Sequence, residues 1–161
     1  MLKAFLFALL NGMAAVAYNY YWYSYFDLPS LIVILATGFL VMFVSSFILW
    51  RLFDSIPNSS IYFTPILAGL PVGLSAPFFW QALTILGNRL CYLWFGECVP
   101  VYEDAPPPFT LKGVLGVLMF RFFPLVFSAI YAAIGTILIG ILVNIMVKKR
   151  KTTDIGLTKD T

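Results

Sequence analysis

Gln81, Thr84 and Asn88 follow one another at intervals of three and four, so a helix carries all three on one face. They lie in a run of 34 uncharged residues between Asp54 and Arg89 that also holds Pro65, Pro71 and Pro77, with Gly69 and Gly73 between them. Proline removes a backbone donor and clashes with the preceding turn, and this spacing predicts a break or strong kink over about 65–76. Irregular backbone at membrane depth survives only when buried in protein or lining a wet cavity. Broken helices of this kind build the substrate sites of transporters. Pro71, Gly73, Gln81, Thr84 and Asn88 are therefore the candidate lining of a polar cavity or substrate path.

The other chemically capable residues are few. The chain has no histidine and two cysteines, Cys91 and Cys98. Six intervening residues and no imidazole argue against a metal site, whereas a disulfide closing a small loop is open to the pair. Arg89, Glu97, Glu103, Asp104 and Lys112 form a mixed-charge cluster, read as a solvated rim. Outside the loops and the tail there is no carboxylate, so no buried acid–base pair can be assembled. Phosphate-cradling glycine loops and serine elbows are absent. The expectation is a protein with no catalytic, cofactor or metal site, and not an enzyme.

The elements that carry these residues are set by charge distribution. Of 161 residues, 61% are hydrophobic and 11% charged, against roughly 25% charged in soluble domains. Uncharged runs of 23, 23, 34 and 26 residues separate Lys3, Asp27, Arg51 with Asp54, Arg89, and Arg121 with Lys148. About 20 apolar residues cross a bilayer as helix. The predicted fold is thus an all-α integral membrane protein, a single domain over 1–151 with four spans at about 3–25, 30–51, 61–88 and 124–147. A loop over 89–110 and a tail over 152–161 complete it. Residues 111–122 place Leu111, Val114, Leu115, Leu118, Met119 and Phe122 on one face, which predicts a short interfacial helix before Pro124 opens the fourth span.

Five of the ten basic residues lie in the segment "KKRKTTDIGLTKDT", and basic flanks stay cytoplasmic. Both termini are accordingly expected inside, with both cysteines outside, in a bacterial inner membrane. Lys148, Lys149, Arg150 and Lys151 suit anionic lipid. Ala15-Val16-Ala17 resembles a signal-peptidase site. The uncharged run nevertheless continues into an aromatic cluster, Tyr18 to Phe26, of the type that sits at headgroup level, so the first segment is read as a retained anchor.

Small and amide residues mark helix-packing faces: Ala8, Asn11, Gly12 and Ala15 in the first span, and Ala132, Thr136, Gly140 and Asn144 at strict fours in the last. The first and fourth spans are expected to meet at Asn11 and Asn144, and the second to be the most lipid-exposed. The functional expectation is an accessory, assembly or inhibitory protein that binds another membrane protein, or itself, through its helices and binds no nucleic acid. The alternative is a small transporter or channel-forming oligomer using the third span.

Overall fold

The computed structural model describes residues 1–26, 28–56, 61–95 and 122–157, with the side chains of 88, 89, 92, 95, 122, 123 and 149–157 left aside. The described residues are all-helical: α1 (Leu2–Tyr23), α2 (Leu28–Asp54), α3 (Phe63–Phe95) and α4 (Phe122–Leu157). Each contains a stretch long and apolar enough to cross a membrane. These are Leu2–Tyr23, Leu28–Asp54, Phe63–Gly87 and Pro124–Lys148, close to the spans read from charge. Helix is the natural form for such runs, because hydrocarbon supplies no partner for a backbone amide.

The helices stand in ring order, α1 against α2, α2 against α3 and α3 against α4, with only a short contact between α1 and α4. Two ends can be named from the chain. The terminal end holds Met1, the end of α2, the start of α3 and Lys148; the aromatic end holds Tyr18–Phe26 and the start of α4. α2 has the smallest buried share, 22% of its apolar window, in keeping with its expected exposure to lipid.

One expectation is corrected. α3 runs as a single 33-residue helix through Pro71 and Pro77, so the break over 65–76 does not form. Pro65 is the third residue of α3, where an amide has no partner within the helix in any case. The two interior prolines each forfeit one hydrogen bond, whereas an unwound segment would expose several backbone groups to hydrocarbon at several kcal/mol each. At ~50 Å α3 is longer than the ~30 Å hydrocarbon core, and it runs on to Phe95. α4 continues as helix to Leu157, through the first six residues of the segment read as the tail. The interfacial helix over 111–121 and the loop residues 96–110 lie outside the described residues.

α3 and α4 approach to backbone contact. A Cβ on Gly73 would fall within the backbone of Ala132 and Ala133, and one on Gly69 would lie 2.9 Å from the Ile137 amide nitrogen. A Cβ on Gly140 would lie 2.9 Å from the Cβ of Pro65 and 3.2 Å from its Cα. The seam is pinned by Thr136, whose Oγ1 donates to the Gly69 carbonyl at 2.6 Å, and by Asn144, whose Nδ2 donates to the Ile61 carbonyl at 2.9 Å. The small residues of the third and fourth spans are thus complementary halves of one antiparallel interface. This close approach holds the proline-bearing helix in place.

At the terminal end the core is filled by aromatics. Phe7 and Trp50 are fully buried with ring centroids 4.6 Å apart, and Ala4, Ala68 and Val143 close around them.

Candidate functional site

Thr84, in the middle of the polar stripe on α3, points at α2. Gln81 and Thr84 are buried, and the Thr84 and Thr37 hydroxyls share a hydrogen bond of 2.8 Å. Thr37 also donates to the Val33 carbonyl at 2.7 Å. One residue before Gln81, Trp80 donates from Nε1 to the Ile34 carbonyl at 3.2 Å and packs on Tyr23, with centroids 5.7 Å apart. The side chain of Asn88 lies outside the described set. Pro71 faces out of the bundle while Gly73 is pressed on α4. Of the residues read as one polar path, Pro71, Gly73 and Thr84 therefore occupy separate environments: exposed, pressed on α4 and bonded to α2.

The first and fourth spans do touch near the depth of Asn11 and Asn144, but each asparagine has its hydrogen bond elsewhere. Asn11 donates from Nδ2 to Ser46 Oγ on α2 at 3.1 Å, and Asn144 is taken up by Ile61. α1 and α4 do touch near that depth, where a Cβ on Gly140 would lie 3.2 Å from Phe7. The reason lies in the ring order: the amide face of α1 turns toward its sequence neighbour α2. The buried acceptors Asn11 Oδ1 and Asn144 Oδ1 and the buried donor Trp50 Nε1 have no hydrogen-bond partner among the described residues. An unmet buried polar group costs about 1–3 kcal/mol.

What sequence reasoning did not find is a cavity. Toward the aromatic end α1 and α4 part, and all four helices wall a slot of about 280 Å³. α1 contributes Asn11, Ala14, Ala15, Tyr18 and Asn19; α2 contributes Gly38 and Met42; α3 contributes Ala76, Pro77 and Trp80. α4 closes the wall with Ser128, Tyr131, Ala132, Gly135, Thr136 and Ile139. Enclosed and empty, a void of that volume would cost about 7 kcal/mol at ~24 cal/mol per Å³, which is comparable to the whole stability of a domain.

Gly135 is distinctive. Among the glycines described, it alone would meet nothing within 4 Å if given a Cβ. Opposite it, Ala14 is exposed and Ala15 half-buried. Asn19 is 3% exposed and packs against Gly38. No side-chain hydrogen bond to Asn19 forms among the described residues. A usable signal was present: Ala14, Ala15, Ala132 and Gly135 are small residues on two helices that share only a short contact. Nothing in the sequence said that these particular faces would be opposite.

The remaining expected sites divide between described and undescribed residues. Ala8, Asn11, Gly12, Thr136, Gly140 and Asn144 are buried in packing faces, while Ala15 and Ala132 look onto the slot. Cys91 is half-buried near the end of α3 and is not a free thiol; Cys98, Glu97, Glu103, Asp104, Lys112 and Arg121 lie outside the described residues. α4 runs on as helix through Lys148, Lys149, Arg150 and Lys151. No cluster of three metal-ligating side chains occurs among the described residues. Comparison with protein-family models, curated proteins and solved structures found no match.

Proposed function

We propose that this is a non-catalytic polytopic membrane protein that acts by lateral helix–helix association, as an accessory, assembly or inhibitory partner of another membrane protein or as a homo-oligomer. The observation that carries this reading is the open seam between α1 and α4. Glycine in a helix costs about 1 kcal/mol relative to alanine, and in membranes it is kept where backbones must approach. Gly69, Gly73 and Gly140 meet that need inside the chain. Gly135, with empty space beside it, is not used in this way within the chain and leaves the seam open to a helix lying across it from outside. The small-residue faces Ala8–Gly12 and Thr136–Asn144 serve the fold itself, which leaves the seam as the docking face.

In this reading both termini face the cytoplasm of a bacterial inner membrane. Residues 1–17 stay as part of α1, which continues without interruption through Ala15–Ala17. Lys148, Lys149, Arg150 and Lys151 rest on anionic lipid. Cys91 pairs with Cys98, the chain's other cysteine, across the loop on the opposite side.

The test is site-directed photocrosslinking in native membranes from Ala14 and Gly135, with Ile32 and Leu40 on the exposed face of α2 as controls. A discrete adduct from the seam positions, absent from the controls and competed away by excess unlabelled protein, is the expected result. Equal labelling from both faces ends the proposal. A second reading, conduction of a small polar solute, draws on the two slot amides Asn11 and Asn19. It is the weaker one, because Pro71, Gly73, Gln81 and Thr84 do not line the slot.

A further inference from the structure

We propose that the slot between α1 and α4 is a lipid-binding site that takes one hydrocarbon chain of a diacyl lipid, with the chain's ester group at the level of Asn19. Size selects the class of occupant. From Ser128 to Ile139 the slot follows α4 for ~16 Å, and its volume is about 280 Å³. A helix ~10 Å across fills on the order of 1,200 Å³ over that length. A partner helix can therefore lie over the slot but not within it, and this inference stands whether or not the seam is a docking face. A hydrocarbon chain is long, narrow and already present as the medium on the open side.

The distribution of polarity sets the direction of the chain. Tyr18, Asn19, Ser128 and Tyr131 lie toward the aromatic end, where amphipathic rings mark the headgroup level. Asn19 sits four residues before the last residue of α1, ~6 Å from the helix end. It is 97% buried by the complement of its 3% exposure and has no side-chain hydrogen bond among the described residues. Its amide can donate to an ester carbonyl arriving from that level. Below it the walls are Ala15, Met42, Ala132 and Gly135, down to a floor at Asn11 and Thr136. Gly135 gives the chain bare backbone to lie against.

The test uses the full chain with Trp22→Phe and Trp94→Phe, so that emission comes from Trp80 in the slot wall and from the fully buried Trp50. The protein is reconstituted into phosphatidylcholine vesicles whose chains carry bromine near the carbonyl end or near the methyl end. The expected result is loss of the Trp80 emission, greater with bromine near the carbonyl end. Gly135→Phe or Ala14→Phe, each adding a ring to one wall, should restore it, while Leu138→Phe on the exposed face should not. Two walls are probed so that a folding failure in one variant leaves the other. Quenching that persists in a folded slot-filling variant overturns the proposal. So does Trp80 emission that never responds to brominated chains, or one that responds only after dilution of the protein in lipid, which would give the slot to a second copy.

Discussion

Phe7 rests against Gly140 at the terminal end of the α1–α4 seam, whereas two turns nearer the aromatic end Ala14 and Ala15 face Gly135 across open space. The helices and their composition are the same in both places. What differs is the pairing of sizes: a large ring against a glycine closes the seam, and small against small leaves it open. A parallel contrast holds between seams. Gly73 is pressed on the α4 backbone while Gly135, on α4 itself, touches nothing within 4 Å. Glycine thus has two uses in this molecule, one making the fold and one leaving room.

The comparison can be broken by substitution. Gly73→Leu must drive α3 and α4 apart, and overpacking of this sort costs about 3 kcal/mol or more. Thermal unfolding in a mild detergent should show loss of the folded state. Gly135→Leu in the same assay should be neutral or gain up to ~1 kcal/mol from better helix propensity. Equal damage from the two would mean that the seams are alike. Phe7→Ala should cost about 3 kcal/mol by leaving a cavity beside Trp50, against a much smaller loss for Tyr18→Ala at the rim of the slot.

Smaller effects sharpen the picture. Thr136→Val removes the hydrogen bond to the Gly69 carbonyl, and interhelical bonds of this kind average ~0.6 kcal/mol in membranes, with a maximum near 1.7. Its loss should lie at the upper part of that range, because the bond is short and buried and ties down the proline-bearing helix. Thr84→Val, breaking the hydroxyl pair with Thr37, should lie near the average. Asn11→Leu gives up a bond to Ser46 of similar size but also removes an acceptor with no partner, so its net effect should be near zero or slightly stabilising. A clear loss would show that Asn11 Oδ1 is satisfied in the bilayer by water or by a ligand.

Much of the architecture was readable because charge is costly in hydrocarbon. Lys3, Asp27, Arg51, Asp54 and Lys148 bracket the spans closely, and helix follows from the need to satisfy every amide. The prolines misled for a local reason: propensity assigns a cost to each interruption, but not the greater cost of the unwound alternative at that depth. Thr84 was read as part of a polar stripe on α3, not as a contact with Thr37. The first and fourth spans were expected to touch where Asn11 and Asn144 share a depth, and they do so through Phe7 and Gly140, but depth does not say which neighbour each amide bonds.

By itself the sequence determined that this chain forms four apolar helices, roughly where each lies along the chain, and which residues along them are small or carry amides. Those properties depend on transfer and backbone hydrogen bonding, which act residue by residue along the chain. Only the tertiary structure decided that Thr136, Gly140 and Asn144 pack on α3, that Asn11 turns to Ser46, and that a slot remains beneath Gly135. Partner choice among helices of nearly equal hydrophobicity depends on rotation and on close van der Waals fit, and these exist only once all four are side by side.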